Sequence, residues 1–195
     1  PAEIRAPAGS LAGVSAFQIH FSSKDIHTPG DKVDVLVAMN PAALKVHRDE
    51  LEPGGMLICN TAAFSKKNLT YAGFDSNPLE DESLEDYFRV YAIDMSKIVK
   101  EACADMGLTP KTVNRTKNLF ALGLLYWIYD RPMKPTKSWL QMKFAKRPEL
   151  IDANVRAMEA GYNYGETTEI FTTRYKVDKA DLPAGTYRHI VGNYA

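Results

Sequence analysis

Residues 33–60 read VDVLVAMNPAALKVHRDELEPGGMLICN. An apolar, β-branched run at 33–39 is followed by a short helical stretch at 41–51, a turn at 53–55 and a second apolar run at 56–60. Strand, helix, turn and strand within about thirty residues is the βαβ unit of a parallel sheet, because parallel neighbours need a crossover and a helix supplies it. The first run shows no alternation, so it reads as a strand covered on both faces. Asn40-Pro41 ends it, and Pro41 suits the first turn of the helix, where its missing N–H is not needed. This single stretch already points to a sheet held between helical layers.

The rest of the chain fits around that unit. Residues 14–22, VSAFQIHFS, alternate with a period of two. Phe17, Ile19 and Phe21 share one face and Gln18, His20 and Ser22 the other, the pattern of a strand covered on one side. TPGDK at 28–32 is a turn. Residues 62–84 are polar and read as irregular, with an acidic run, EDESLED, at 80–86 that lacks the alternation and glycine of a calcium loop. YFRVYAI at 87–93 is a fourth strand.

Four helices follow. The first spans 95–107, with Ile98, Ala102 and Met106 on one stripe and Gly107 at its end. The second, 114–130, is apolar almost all round from Leu119 to Tyr129 and belongs inside the fold or at an interface. Gly123 in its middle costs about 1 kcal/mol against alanine, which points to close packing against another element. The third, 135–144, has Thr136 as its expected N-cap. The fourth, 148–161, starts at Pro148 and has Gly161 just past its end. Residues 166–186 read as an extended arm. The fold class expected is α/β: a three-layer, Rossmann-like domain with a mostly parallel sheet and covering helices.

Composition excludes several functions. Lys plus Arg and Asp plus Glu number 24 each, which gives no reason to expect nucleic acid or an anionic membrane as partner. The most apolar run, 119–128, is too short to span a bilayer, and no signal peptide is recognisable. Cys59 and Cys103 lie far apart with no CxxC, so they suit neither a cluster nor zinc and read as buried, inert thiols. A reducing, cytoplasmic location fits them. His20, His27, His47 and His189 lack metal-ligand spacing, and His20 reads as a hydrogen-bonded surface or interlayer residue.

No nucleophile elbow and no phosphate-binding glycine motif is present. GSLAG at 9–13 precedes a strand, whereas a phosphate loop follows one and opens a helix. No catalytic residue and no metal ligand is therefore assigned. What remains is the carboxyl edge of the sheet, where open parallel sheets bind ligands. Asn40 and Asn60, the latter followed by Thr61, stand at that edge, and Arg5 reaches it if the first segment folds across. These three residues are the candidate cleft lining. The alternative is that the asparagines only cap turns and helices.

Long stretches of the chain carry a resemblance. PAEIRAPAGSLAGVSAFQIHFSS, IHTPGDKVDVLVAMNPAALKVH and LEPGGMLICNT, then NLFALGLLYWIYDRP, WLQMKFAKRPELIDANVRAMEAGYNYGET and GTYRHIVGNYA, resemble the gamma-type domain of 2-oxoacid:ferredoxin oxidoreductases. The form most resembled fuses that domain to the alpha subunit, as in enzymes of the 2-oxoglutarate type. The resemblance implies a gamma-type domain over 1–165, an arm over 166–186 and the start of a thiamine-binding alpha domain over 187–195. It also implies a first strand and glycine-rich loop ahead of residue 1. The reaction implied is conversion of a 2-oxoacid and coenzyme A to acyl-CoA and carbon dioxide, with electrons passing to ferredoxin. Thiamine diphosphate, Mg2+, a [4Fe-4S] cluster and coenzyme A are implied for the full complex and none for this chain. The partners implied are the alpha domain, a beta subunit and ferredoxin, with this domain as a scaffold on which helix 119–129 and the arm serve as contact surfaces. A stand-alone coenzyme A- or nucleotide-binding module, or a pure assembly module, is the competing reading.

Overall fold

The computed structural model describes residues 2–5 as backbone, together with 14–28, 30–183, 185 and 186. The GSLAG loop and all of 187–195, with His189 and the expected start of an alpha domain, lie outside the described residues.

The main sheet has three parallel strands in the order β3-β4-β5: β3 is Val33–Ala38, β4 is Leu51–Asn60 and β5 is Arg89–Ile93. Helix α1, Pro41–His47, makes the crossover from β3 to β4. The period of two along β4 divides the core. Met56 and Ile58 point to one face and join Tyr91, Ile93, Met95, Val99, Phe120, Leu124 and Ile128. Leu57 and Cys59 point to the other and join Ala38, Leu44, Phe64, Leu69 and Leu84. The first face is covered by α3 (Met95–Ala102), α4 (Pro110–Arg115), α5 (Lys117–Ile128) and α7 (Pro148–Thr167). The second is covered by α1, α2 (Lys66–Ala72) and the segment 74–88. Helix α6, Lys134–Lys143, packs outside α7 and buries Leu140 alone. The three-layer α/β expectation holds.

Several local expectations change. The segment 62–84 is not wholly irregular: α2 lies in it, capped by Ser65, whose Oγ accepts from the Asn68 N–H, and ended by Gly73 in the left-handed region. Seven residues give too short a period to read. The strand covered on both faces is β4, whereas β3 pairs only with β4 and its Val33, Val35, Leu36 and Val37 stay half-buried. The helix expected over 114–130 is two helices that meet at buried Thr116, whose Oγ donates to the Val113 carbonyl at 2.8 Å. Thr136 does not cap α6, which begins earlier, after Met133; its hydroxyl lies 2.6 Å from the Tyr126 hydroxyl instead. Gly161 does not follow the end of α7 but sits inside it, and the helix runs to Thr167. Gly107 does end its helical segment, with φ 62°.

The first strands form a separate antiparallel pair, β1 (Ala2–Arg5) with β2 (Ala16–Ile19). Its facing is the reverse of that expected. Gln18 is buried and donates to the Gly30 carbonyl at 3.2 Å, while Phe17 and Ile19 are 60% and 56% exposed. Phe21 alone turns to the body, edge-on to Tyr129 at 5.0 Å. His20 Nδ1 lies 3.1 Å from the Thr28 carbonyl, as a hydrogen-bonded surface histidine should.

Candidate functional site

The three parallel strands deliver three chain exits to one edge. Ala38 lies beside Cys59, and Asn60 beside Ile93. Just past these points are Asn40, Thr61 and Asp94, each opening a helical turn. The Asn40 side chain accepts from the Ala43 N–H at 2.9 Å and so caps α1. Asp94 accepts from the Lys97 N–H at 2.9 Å and caps α3. Capping satisfies one of the donors that a helix start leaves bare. The capping role expected as the alternative therefore applies to Asn40.

Asn60 differs. It is fully buried, and neither its Oδ1 nor its Nδ2 has a hydrogen-bond partner. A buried amide without partners carries a desolvation penalty of about 1–3 kcal/mol, so among the described residues Asn60 is a buried polar side chain at the edge whose bonding capacity is unused. Asp94 was absent from the candidates, although an acid between a strand and a helix is a sequence sign of a cap.

Arg5 is the third candidate. Its strand pairs with β2, and β2 is tied to the body at Gly30 and through Phe21 at Tyr129. Gly30 precedes the amino end of β3. The Arg5 side chain itself lies outside the described residues.

Both thiols are buried. Burial pushes the Cys59 thiol up to about 12 and raises that of Cys103, so neither presents a thiolate near neutrality. Among the described residues, no three His, Cys, Asp or Glu side chains come together as metal ligands, and no helix is long and apolar enough to cross a membrane.

The region after α7 is organised. Phe171 is buried, stacked on Tyr91 at 4.4 Å and beside Trp127 at 5.6 Å. The Tyr175 N–H donates to the Ile128 carbonyl at 2.7 Å, and its ring stacks on Tyr129 at 5.0 Å. Arg174 donates to the Trp127 carbonyl, and Arg89 donates to Thr173. The arm thus lies along the end of α5 and over β5. Between it and β2, Ile19, His20, Phe21, Asp34, Tyr129, Tyr175, Lys176 and Val177 enclose a hollow of about 170 Å³. Burial, then Asp34, raises the Tyr129 phenol well above its usual range.

Residues 2–164 match the family described as pyruvate ferredoxin/flavodoxin oxidoreductase. The chain belongs to that family. Within this oxidoreductase family, it is similar to the 2-oxoglutarate oxidoreductase subunit KorA of Mycobacterium tuberculosis, with 51% identity over all 195 residues. It spans 30% of that relative's length. The fold is similar to that of a 2-oxoglutarate:ferredoxin oxidoreductase from Magnetococcus marinus, solved with 2-oxoglutarate, coenzyme A and succinyl-CoA bound. That likeness has a TM-score of 0.56 at 23% identity and covers 81% of this chain and 24% of the other. The fold of this chain thus recurs as part of a larger protein.

Proposed function

We propose that the chain is the non-catalytic, gamma-type domain of a 2-oxoacid:ferredoxin oxidoreductase of the 2-oxoglutarate class. The observation that carries this reading is the 51% identity, without a break in coverage of the chain, to a 2-oxoglutarate oxidoreductase subunit. In the proposed complex, 2-oxoglutarate and coenzyme A give succinyl-CoA and carbon dioxide, and the electron pair leaves one electron at a time to ferredoxin.

This chain's two cysteines do not fit an iron–sulfur cluster. A [4Fe-4S] cluster takes four thiolates, and the two cysteines here are buried and held protonated. We therefore assign thiamine diphosphate, Mg2+ and the cluster to the alpha domain and the beta subunit, and derive no step through them here. The location that suits this chemistry is the cytoplasm. The body over 1–165 serves as a scaffold, and the arm over 166–186 leads toward the alpha domain. Helix α5 gives most of its apolar surface to α7, the sheet and the arm, which leaves half-buried Leu122 and Tyr126 as its share of a contact surface. Asn40, Asn60 and Arg5 remain the proposed lining of the carboxyl edge, with Asn60 the member available to a polar group.

The test is an assay of coenzyme A-dependent reduction of ferredoxin by 2-oxoglutarate. The complex containing this domain is active and the 195-residue chain alone is not; decarboxylation by the chain alone would overturn the assignment. The unused amide of Asn60 favours a second reading, a stand-alone coenzyme A- or nucleotide-binding module. Calorimetry separates the two: micromolar binding of coenzyme A by the isolated chain selects the module.

A further inference from the structure

The formal charge of the chain is zero, but that balance hides a division between the outer layers. Residues 41–88, which include the layer of α1, α2 and 74–88, hold four Lys or Arg and nine Asp or Glu, a net −5. Residues 95–167, the layer of α3 to α7, hold twelve Lys or Arg and seven Asp or Glu, a net +5. The two layers pack on opposite faces of the same sheet, so the domain is polarised across its thickness.

Each charge is concentrated in one segment of its layer. Segment 75–86 carries Asp75, Glu80, Asp81, Glu82, Glu85 and Asp86, all exposed, with no Lys or Arg among them. Exposed Tyr87 follows directly. Segment 131–147, on and around α6, carries six Lys or Arg and no acid. Lys137 pairs with Glu159 at 2.6 Å, while Lys134, Lys143, Lys146 and Arg147 are exposed. Among these cations Trp139 is 46% exposed and Met142 73%, and Lys143 lies over the Trp139 ring at 4.3 Å. Trp139, Met142 and Arg147 are of types enriched in protein interfaces, and the lysines, a type depleted there, form the charged surround.

We propose that the α6 face docks the acidic 75–86 face of a second copy of this chain. The complement of the basic face is present on the same molecule, with matching formal charge and aromatic residues on both sides. Because the two faces lie on opposite layers, the contact is head-to-tail and heterologous, so copies add in one direction unless the rotation closes a ring. Opposed charged faces of this kind act mainly on encounter and orientation and weaken as salt rises.

Sedimentation velocity of the intact chain at rising concentration tests this. At about 20 mM NaCl the weight-average mass rises about twofold or more, and at about 500 mM, where the Debye length falls to a few ångströms, it stays that of a monomer. The variants K143E/K146E and E82K/E85K are each monomeric alone. An equimolar mixture of the two associates, because each supplies the face the other lacks; this also shows that both still fold. A wild-type chain that stays monomeric at low salt overturns the proposal and leaves the basic face to an acidic partner of another kind. Association that survives high salt or both reversals overturns it in favour of an apolar contact, such as one through Phe17 and Ile19. A mixture that stays monomeric overturns it as well.

Discussion

Gly123 of α5 and Gly161 of α7 are reciprocal. Gly123 lies against the carbonyl of Met158, three residues before Gly161, and Gly161 lies against the carbonyl of Phe120, three residues before Gly123. A Cβ at either position would come within 3.0 Å of backbone on the other helix. Neither backbone can swing away as a long side chain would. In an isolated helix, replacing either glycine by alanine would add about 1 kcal/mol of helix stability. Here the sign is reversed, and Gly123→Ala and Gly161→Ala each destabilise the fold by about 3 kcal/mol, at the upper end of overpacking costs. Urea unfolding followed by far-UV circular dichroism checks this, and a neutral or stabilised variant would show that the two helices are farther apart in solution.

The same helix pair shows what was readable beforehand. Gly123 in an apolar helix implied close packing, and the structure supplies the partner. A glycine beside a helix end reads as a terminator, yet Ala153, Ala157, Gly161 and Gly165 recur every four residues along one buried stripe. That spacing was the available signal, since residues four apart share a helix face. The βαβ unit was legible because β4 is covered on both faces and its apolar run has no alternative use. The facing of β2 was not legible. Alternation tells which residues share a face but not which face meets the body, and there the Gln18 hydrogen bond to Gly30 decides. At the carboxyl edge, topology alone placed Asn40 and Asn60, but only geometry separates a cap from an unused amide.

The arm after α7 is held chiefly by Phe171, which fills the space between Tyr91 and Trp127. Phe171→Ala removes a buried aromatic ring and costs about 3 kcal/mol or more. Hydrogen exchange at the Tyr175 amide, which bonds to the Ile128 carbonyl, should quicken along with it. Loss of stability without faster exchange at Tyr175 would mean that the arm is held independently of the ring.

Asn60 and Leu57 lie on one strand, both fully buried, and they predict different responses to truncation. Leu57→Ala loses apolar burial and leaves a cavity, a cost of about 2–5 kcal/mol. Asn60→Ala also removes volume, but it relieves a buried amide that has no partner. The two effects offset, so the change is within about 1 kcal/mol of wild type. Parallel urea titrations decide the matter: equal losses in both variants would mean that Asn60 is bonded in solution.

Cys59 should leave a signature at high pH. Its thiol is buried in the layer formed with Leu44, Phe64 and Leu69, and burial raises it from 9.0 to about 12. Below pH 9 the thiol is protonated in both folded and unfolded chains, so it adds no pH dependence. Between 9 and 12 the unfolded thiol gives up its proton while the folded one keeps it. The unfolded state then binds fewer protons, and stability falls as pH rises. One such group gives a slope of at most about 1.4 kcal/mol per pH unit. Cys103 and Tyr129, also raised by burial, act in the same direction, so Cys59→Ala reduces the slope without abolishing it. Unfolding free energies at closely spaced pH values from about 8 to 11 should therefore show a loss that is shallower in Cys59→Ala by about 1 kcal/mol per pH unit above pH 9.5. Identical slopes in the two proteins would mean that the Cys59 thiol ionises in the folded state as readily as in the unfolded chain, which its burial against Leu57 and Ala38 in one core cluster does not allow.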